Sequence, residues 1–476
     1  MSPEVRAFVG DSILPEPAKP KRPARRKKTP EAVAAPSMGI AVDEAVDATE
    51  RAGEAMPAPE PAPQPAPQPA PQPAAQRAPK PAPEPAKFHV IIIGGGGTGG
   101  ALAHDLTLRG LRVTLVERGE VTSGTTGRHH GLLHSGARYA TTDRAAALEC
   151  IAENKILRRI APGSFEENGG LFVALTDEDV EFATGFFEAC WQCAVPTKRL
   201  ERDAALRLEP GLNPDLRFAV QVPDATMDAM RVPLRFFATA RHNGADIRPF
   251  TEVVAVTAAG QTVTGVKVRD HAAGREYEIG ADLVVNAAGP WAGRVAALAG
   301  IDVAVTSSPG VLVAVRGRYC NMVVNRLHAP GDGDIILPQR NLTVVGTSSW
   351  TAEDPDNLTI PPGHIETIMR EGTALLPALA GAEIRARWSA ARALVGVASG
   401  ATAESGRDLT RELRCFDHAA DATPTEGFVT ITGGKATTLR AMAEVTADVV
   451  CAKLGISEPC RTGETVLLPH TAWYHV

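Results

Sequence analysis

The sequence lacks the features that mark several large classes of protein. None of its apolar runs approaches the roughly 20 residues that a membrane-spanning helix needs, so any membrane contact is expected to be peripheral. The cysteines are dispersed and odd in number, which argues against a disulfide framework and for a reducing compartment. A net charge of -6 over 476 residues gives no reason to expect nucleic acid as a partner. The length allows two or three domains with an ample core.

One cysteine pair, Cys190 and Cys193, has C-x-x-C spacing. A redox or metal pair would have this spacing, but no second pair stands at zinc-site spacing, and the surrounding segment has the pattern of an amphipathic helix. We therefore expect two half-buried thiols and no metal site.

The first 87 residues are expected to be disordered. Between Met56 and Lys87, prolines alternate mainly with Ala, Gln and Glu, a composition that favours extended polyproline and builds no core. A basic cluster, Lys19–Lys28, precedes this tract. It is either a solvated charged tail or a contact for anionic lipid or an acidic partner.

The most informative stretch begins at His89. A β-branched apolar run enters a glycine cluster, a helix-compatible segment follows, and a second apolar run ends at Glu117. Gly94, Gly96 and Gly99 have the G-x-G-x-x-G spacing of a dinucleotide-binding βαβ unit. In such a unit the three glycines allow a tight turn, close approach of the backbone to a pyrophosphate, and close packing of helix on strand. The acid accepts hydrogen bonds from a ribose hydroxyl. With strands on both sides of the glycines, the pattern predicts ligand binding rather than an empty glycine loop.

A second stretch, Thr122–Tyr139, combines small residues with three histidines and two arginines. Small residues let the backbone approach a ligand, while the histidines supply groups for proton transfer and the arginines bind anions. A mobile surface loop is the alternative, but Leu132, Leu133 and Tyr139 favour a partly packed loop.

Patterns along the rest of the chain predict further elements. A strand and a glycine turn, Gly433-Gly434, precede the helix at 439–454. As in the first glycine turn, glycine N–H groups at a helix N-terminus would face a ligand. The dinucleotide-binding fold is therefore expected to be split, with a substrate domain inserted. We predict helices at 145–160, within 177–210, at 362–376 and at 439–454. We predict strands at 168–175, 218–222, 244–248, 251–256, 263–268, 276–279 and 281–286. The strands at 218–222 and 244–248 begin a run that the next three continue as an antiparallel meander.

Four motifs, taken in order, resemble a known family. They are the glycine loop, the segment Arg128–Tyr139, Asn286-Ala-Ala-Gly289-x-Trp291, and Thr432-Gly-Gly-Lys435. Together they resemble the FAD-dependent glycerol-3-phosphate dehydrogenases, most closely the catalytic A subunits of the bacterial anaerobic enzymes, within the D-amino-acid-oxidase-like flavoproteins. The resemblance covers about residues 88–470.

This resemblance implies a fold class and a division of the chain. The class is α/β: a Rossmann-like FAD-binding domain of the glutathione-reductase type, with an inserted α+β substrate domain and a helical C-terminal part. The expected segments are the disordered extension 1–87, FAD-binding part 88–167, a mainly substrate-domain part 168–280, an FAD-binding segment 281–300, substrate domain 301–385, a closing segment with a helix 386–455, and a tail 456–476.

The resemblance also implies non-covalent FAD and oxidation of sn-glycerol 3-phosphate to dihydroxyacetone phosphate. A hydride leaves C2 for flavin N5 while a base takes the hydroxyl proton. We expect His134 to be that base, with His130 second. The implied cofactor residues are Gly94, Gly95, Gly96, Thr98, Gly99, Glu117, Arg118, Thr126, Gly127, His130, Val253, Ala288, Gly289, Trp291, Gly433, Gly434, Lys435 and Thr437. The implied substrate residues are Arg138, Tyr139, Arg392, Arg411 and Lys435, with Arg138 and Arg392 also expected at the catalytic centre.

The path of the electrons after the flavin stays open. No second complete G-x-G-x-x-G is visible for a nicotinamide nucleotide, so a membrane quinone or an electron-transfer subunit is the expected acceptor, at the inner face of the cell membrane. Reaction with oxygen, another small anionic substrate such as a 2-hydroxy acid or amine, and a non-catalytic flavoprotein scaffold are the alternatives. No iron–sulfur cluster is expected in this chain, and self-association is left open.

Overall fold

The structure is a computed structural model that describes residues 87–396 and 412–475. Its strands are β1 His89–Ile93, β2 Arg112–Val116, β3 Leu132–Leu133, β4 Phe165–Glu166, β5 Gly170–Ala174, β6 Lys198–Glu201, β7 Phe218–Val222, β8 Ala225–Met227, β9 Asp246–Arg248, β10 Thr251–Ala259, β11 Thr262–Asp270, β12 Arg275–Gly280, β13 Leu283–Asn286, β14 Val305–Arg316, β15 Val323–Arg326, β16 Ile335–Gln339, β17 Leu342–Gly346, β18 Ile384–Val395, β19 Leu413–Asp417 and β20 Phe428–Gly433. Its α-helices are α1 Gly97–Leu108, α2 Arg144–Ile160, α3 Asp177–Gln192, α4 Arg202–Leu208, α5 Arg231–His242, α6 Ala292–Ala297, α7 His364–Leu375 and α8 Leu439–Leu454.

A six-stranded sheet with the order β19-β20-β13-β1-β2-β9 carries the predicted dinucleotide-binding unit. Every pairing from β20 to β9 is parallel, and β19 adds antiparallel to the edge. All five residues of β1 are buried, as expected for the centre of a parallel sheet covered on both faces. The predicted split is therefore present in the sheet, since its strands come from widely separated parts of the chain.

The side chains of β1 alternate between two hydrophobic clusters. Val90 and Ile92 pack in a cluster with α1, α5 and α8 on one face of the sheet. Ile91 and Ile93 pack on the other face in a cluster that includes β11. This alternation follows from the two-residue period of a strand.

The second large sheet has eight strands in the order β18-β14-β17-β16-β15-β5-β7-β6. Its longest pairing joins β14 to β18 in antiparallel register, with Ser308 opposite Arg392. Helix α7 packs on one face through Ile368 and Leu375. Strand β18 therefore packs beside β14, although the two strands are far apart in the sequence.

Several predicted elements differ from the structure. Residues 177–210, predicted to be helical, contain strand β6 between α3 and α4. The run of strands predicted from residue 218 is not one meander. Strand β7 belongs to the eight-stranded sheet and β9 to the parallel sheet, and helix α5, which was not predicted, lies between them. Of the predicted strands in this run, β10, β11 and β12 pair with one another as an antiparallel three-stranded sheet. Strand β8 joins a second such sheet, with the order β3-β8-β4.

The other predicted helices and strands are present close to their predicted bounds, including α2, α7, α8 and β13. The mixed α/β fold class with a parallel-sheet dinucleotide-binding core is confirmed. The division into domain segments stays a prediction, and strand β18 runs across the boundary proposed at residue 385. Of the helices described, none is long and apolar enough to cross a bilayer.

Candidate active site

A cavity of about 770 Å³ lies at the carboxyl edge of the parallel sheet. Residues that end or directly follow β1, β2, β13 and β20 line it, among them Gly94, Glu117, Ala287 and Gly434. Ligands of open parallel sheets bind at this edge, where the connecting loops leave a crevice. The volume lies within the range of small-molecule and cofactor sites.

The first glycine turn has the geometry that its spacing predicts. Gly94 has φ +115°, and a Cβ there would lie 2.6 Å from the Ala287 carbonyl oxygen. A Cβ on Gly99 would lie 2.0 Å from the Gly94 carbonyl oxygen, so helix α1 packs on the turn only with glycine at this position. Gly96, by contrast, faces open space apart from the Thr126 hydroxyl at 3.2 Å. The open side of Gly96 lines the cavity.

Helix α1 directs its amino terminus at the same cavity. Gly97 and Thr98, its first residues, are lining residues, and the first N–H groups of a helix carry a partial positive charge that suits a phosphate. The Gly97 N–H donates to the Thr126 hydroxyl at 2.9 Å. This bond ties the second informative stretch of the sequence to the glycine turn.

Glu117 is fixed in place by backbone donors. The Gly95 N–H donates to its Oε2 at 2.7 Å, and the Gly119 N–H donates to its Oε1 at 2.9 Å. Its carboxylate therefore keeps one orientation at the cavity wall, as a residue that accepts from a ribose hydroxyl requires.

Three histidines form a chain beside the cavity. The ring centroids of His129 and His130 are 6.2 Å apart, and those of His130 and His134 are 5.8 Å apart. Burial lowers the pKa of His129 to about 4. Burial, together with the neighbouring histidines, Arg392 and Arg138, lowers the pKa of His130 well below its usual value. The His130 ring is therefore neutral at pH 7, and its Nδ1 accepts from the Leu132 N–H at 3.1 Å.

The backbone around His134 is held by buried polar side chains. Its N–H donates to the Thr437 hydroxyl at 3.1 Å, and its carbonyl oxygen accepts from Asn154 Nδ2 at 3.1 Å. The next N–H, of Ser135, donates to the Asp224 carboxylate at 2.7 Å. The His134 ring lies 5.2 Å from the Tyr139 ring, centroid to centroid. The loop is thus packed and not a mobile surface segment.

Two cationic side chains reach the cavity from other elements. Arg392, on β18, donates to the carbonyls of Ser308, Pro309 and Ser348 at 3.3 Å and also to the Thr347 hydroxyl. Lys435 follows the second glycine turn and lies 5.5 Å from the centre of the Tyr139 ring. Both line the cavity, so the site is positive as well as rich in neutral imidazole.

Arg138 lies in a different setting from Arg392. Its guanidinium donates to the Asp334 carboxylate at 2.7 Å and to the Gly331 carbonyl at 3.3 Å, and it is not among the cavity-lining residues. Burial alone would raise the pKa of Asp334, but Arg138, His328 and the Gly331 N–H lower it to about 2. The ion pair therefore persists across the neutral range.

The structure brings most of the predicted site residues to one cavity. Gly95, Gly99, Gly127 and Thr437 support it from behind, Arg138 is paired with Asp334, and Arg411 lies outside the described residues. The predicted residues that line the cavity are Gly94, Gly96, Thr98, Glu117, Arg118, Thr126, His130, His134, Tyr139, Val253, Ala288, Gly289, Trp291, Arg392, Gly433, Gly434 and Lys435.

Other lining residues were not predicted from the sequence. Arg294 and Asp356 lie near Arg118 at one part of the wall, and Met442 of α8 accepts from the Thr98 hydroxyl at 3.5 Å. The sequence carries no motif that pairs Arg118 with a residue more than two hundred positions away. Only the fold brings them together.

The C-x-x-C pair is not at the site. Cys190 and Cys193 are free, buried thiols in a hydrophobic cluster with Phe186 and Phe187. Burial raises the pKa of each thiol above its usual value, which makes both poor nucleophiles.

The fold and the cavity together define a dinucleotide-dependent oxidoreductase. A glycine turn, a helix terminus and an oriented carboxylate fit a dinucleotide, and neutral histidines with cationic neighbours fit a redox reaction of a small anion. A family model described as FAD dependent oxidoreductase matches residues 89–449. The chain belongs to this family, and its cofactor is FAD.

Within this family, the chain is similar to subunits of one kind of enzyme. The chain is 40% identical over 380 residues to the A subunit of anaerobic glycerol-3-phosphate dehydrogenase from Escherichia coli (strain K12), a match that covers 79% of this chain and 69% of that protein. It is 41% identical over 388 residues to the A1 subunit of the same enzyme in Haloferax volcanii, with coverage of 79% and 66%. The chain thus spans about two thirds of the length of these relatives.

The fold is also shared with solved structures. The glycerol-3-phosphate dehydrogenase from Bacillus halodurans complexed with FAD has a TM-score of 0.61 and 23% identity, covering 81% of this chain and 68% of that one. A likeness at this identity supports the fold alone.

Proposed function

We propose that this protein catalyses FAD-dependent oxidation of sn-glycerol 3-phosphate to dihydroxyacetone phosphate. The observation that carries the proposal is that one cavity holds both the dinucleotide-binding glycine turn and the group His130, His134, Arg392 and Lys435. The relatives named as parts of glycerol-3-phosphate dehydrogenase align over most of the described chain.

The chain's own residues would hold FAD along the carboxyl edge of the sheet. The N–H groups at Gly96 and Thr98 suit the diphosphate, Glu117 suits a ribose hydroxyl, and the turns at Gly289 and Gly433 also line the cavity. When bound, FAD supplies a two-electron acceptor for a hydride.

The substrate must lose the proton of its C2 hydroxyl as the hydride leaves C2. Three imidazoles line the cavity, those of His129, His130 and His134, and we assign the base role to His134 first and His130 second. Burial keeps His130 unprotonated at working pH, as a base requires, but its Nδ1 already accepts from the Leu132 N–H, which is why it stands second. The hydrogen bonds to the His134 backbone support His134, since they fix the point of the chain from which its ring enters the cavity wall.

Binding of the phosphate requires fixed cations. We assign this role to Arg392 and Lys435, with Tyr139 beside them, because all three line the cavity. Arg138 is retained as a proposed substrate residue on its motif, since its guanidinium is paired with Asp334 and does not line the cavity. We also retain Arg411 as a proposed substrate residue on the basis of its motif alone. A phosphate dianion is bound better by two or more guanidinium or ammonium groups than by one.

Electrons have to leave the site after each turnover. The relatives are named as the A and A1 subunits of their enzymes, and we therefore propose that a second, different polypeptide accepts the electrons, or passes them on to a quinone. We propose accordingly that the protein acts at the inner face of the cell membrane as a peripheral component. The test is reoxidation of the reduced holoenzyme by a quinone analogue compared with oxygen: rapid reoxidation by oxygen alone would contradict this part.

The first experiment is an anaerobic titration of the holoenzyme with sn-glycerol 3-phosphate, followed by the flavin absorbance. Bleaching in proportion to added substrate, with glycerol and lactate inert, is the expected result. Bleaching by lactate or an amine instead would support the alternative of another small anionic substrate. A flavin that no substrate bleaches would contradict an enzymatic role.

A further inference from the structure

A chain of ion pairs crosses the cavity wall near Glu117. The Arg118 guanidinium pairs with the Asp356 carboxylate, and Arg294 pairs with Asp356 at 3.1 Å and with Asp354 at 2.8 Å. Arg118 also stacks over the Trp291 ring, 4.6 Å from its centroid. The charges alternate in the order Arg118, Asp356, Arg294, Asp354. Asp356 therefore lies between two guanidinium groups, and Asp354 pairs with Arg294.

The two aspartates lie on one segment, residues 351–360, which we call the clasp. Near its start the Ala352 N–H donates to the Ser307 carbonyl of β14 at 2.9 Å. Towards its end the Leu358 carbonyl accepts from the Ser389 hydroxyl of β18 at 3.2 Å. The clasp is therefore anchored at two points to the eight-stranded sheet.

The middle of the clasp reaches the other large sheet. Arg118 lies two residues beyond the end of β2 at Val116, and Arg294 lies on α6, which follows the turn after β13. Pro355 and Asp356 line the cavity themselves, together with both arginines. Opening this part of the wall would require Asp356 to separate from Arg118 and Arg294 at the same time.

The aspartates stay charged throughout the neutral range. Burial alone would raise the pKa of Asp356, but hydrogen bonds from Arg118 and the charges of both arginines lower it below its usual value. A bond from the Asp356 N–H and the Arg294 pair lower the pKa of Asp354. Since the side chains are partly exposed, salt should screen these pairs and acid should neutralise the aspartates.

We propose that the clasp retains FAD: Asp356, Asp354 and Arg294 belong to the cofactor site as the residues that close its wall. The proposal rests on FAD as the cofactor and deepens that assignment. Single exposed ion pairs contribute little to stability, but here three pairs act on one segment, and their effect falls on the rate at which that segment opens. The clasp should therefore change how fast FAD leaves, with little effect on folding.

The test is the rate of FAD release from the holoenzyme, measured without substrate as the rise of free flavin fluorescence after dilution. Asp356→Asn should speed release about tenfold, and Asp354→Asn about threefold, because each loses one or more pairs of the network. Raising the salt concentration should speed release from the unchanged protein and have a weaker effect on Asp356→Asn. Asp356→Glu keeps the charge and should stay close to the unchanged protein.

Comparing the two aspartate variants distinguishes closure of the wall by the clasp from a direct contact between Asp356 and FAD. Asp354 does not line the cavity, so faster release from Asp354→Asn reports on the segment and not on a lost contact with FAD. A matched control is Glu383→Gln: Glu383 is an exposed carboxylate between two arginines, Arg316 and Arg385, away from the cavity. Its variant should release FAD at the unchanged rate.

One outcome would contradict the clasp, and another would contradict the proposed function. If both aspartate variants release FAD at the same rate as Glu383→Gln and the unchanged protein, the clasp is wrong while the proposed function stands. A protein that binds no FAD in the first place overturns the proposed function.

Discussion

At the scale of single residues, the glycines of the first turn differ in what they require. Gly99 has no room for a Cβ, because one would meet the Gly94 carbonyl oxygen at 2.0 Å. Gly96 has φ -81° and only the flexible Thr126 side chain near it. A larger residue at position 96 is therefore compatible with the fold but would project into the space where the diphosphate is expected.

We predict that Gly96→Val folds and loses FAD. The protein should keep its circular dichroism spectrum while its flavin absorbance after purification and its recovery with added FAD fall to near zero. Gly185→Val is the control, because nothing lies within 4 Å of a Cβ at Gly185 and this glycine is not part of the cavity wall. A fully yellow Gly96→Val protein would contradict the assignment of the glycine turn.

A second prediction concerns the phosphate. Arg392→Ala should raise KM for sn-glycerol 3-phosphate about 100-fold with a small change in kcat, because a charged fork that binds the phosphate acts alike in the bound substrate and the transition state. Arg387→Ala on the same strand, β18, is the control, since this arginine is exposed and does not line the cavity. An unchanged KM for Arg392→Ala would argue against its role.

At the scale of elements, local patterns predicted what local forces decide. Strand β1 and helix α8 were predictable from local sequence: a continuous β-branched apolar run specifies a fully buried strand, and apolar residues at a period of 3.6 specify a helix. Strand β18 has the sequence Ile-Arg-Ala-Arg-Trp-Ser-Ala-Ala-Arg-Ala-Leu-Val, with few β-branched residues, and it is extended because β14 pairs with it along most of its length. Such a strand depends on a partner that is distant in sequence.

The same reasoning applies to the candidate site. The glycine turn, Glu117 and the histidine stretch were predictable because each is a continuous motif. The Arg138–Asp334 pair and the Arg118–Asp356 pair were not, since their partners are separated by 196 and 238 positions. Whether a predicted residue faces the cavity or stands behind it, as Thr437 does, is likewise decided by tertiary packing.

Helix α1 contains a buried histidine that should make stability depend on pH. His104 is fully buried, packs edge-on to Phe236, and has a pKa lowered by burial to about 4. The unfolded chain binds a proton below about pH 6.5 that the folded protein binds only near its lower pKa, so stability is lost as pH falls through this window. At pH 5 the penalty from this one group should be about 2 kcal/mol.

We therefore expect the difference in the free energy of unfolding between His104→Leu and the unchanged protein to be more favourable to the variant at pH 5 than at pH 8. Urea unfolding at the two pH values measures the difference. His242→Leu, at an exposed position on α5, should show no such dependence. A His104→Leu protein with the same pH dependence as the unchanged protein would contradict the assignment of the penalty to this ring.

At the scale of the whole molecule, the cofactor cavity is built from segments that span most of the described chain. Its lining residues, taken from the described ranges 87–396 and 412–475, begin at Ile93 and end at Met442. The basic cluster Lys19–Lys28 precedes all of them in the sequence. Chemistry and attachment can therefore be separated by one truncation, in which residues 1–86 are removed.

The truncated protein, residues 87–476, should keep its FAD and bleach with sn-glycerol 3-phosphate to the same extent, because every strand of the parallel sheet is retained. If the basic cluster contacts anionic lipid, the full chain should co-sediment with anionic vesicles more strongly than the truncated one, by about 1 kcal/mol for each charge that reaches the surface. Neutral vesicles are the control. Equal sedimentation of both proteins would identify the cluster as a solvated tail and leave the membrane contact to a second polypeptide, whereas loss of FAD on truncation would mean that the cavity depends on residues beyond those that line it.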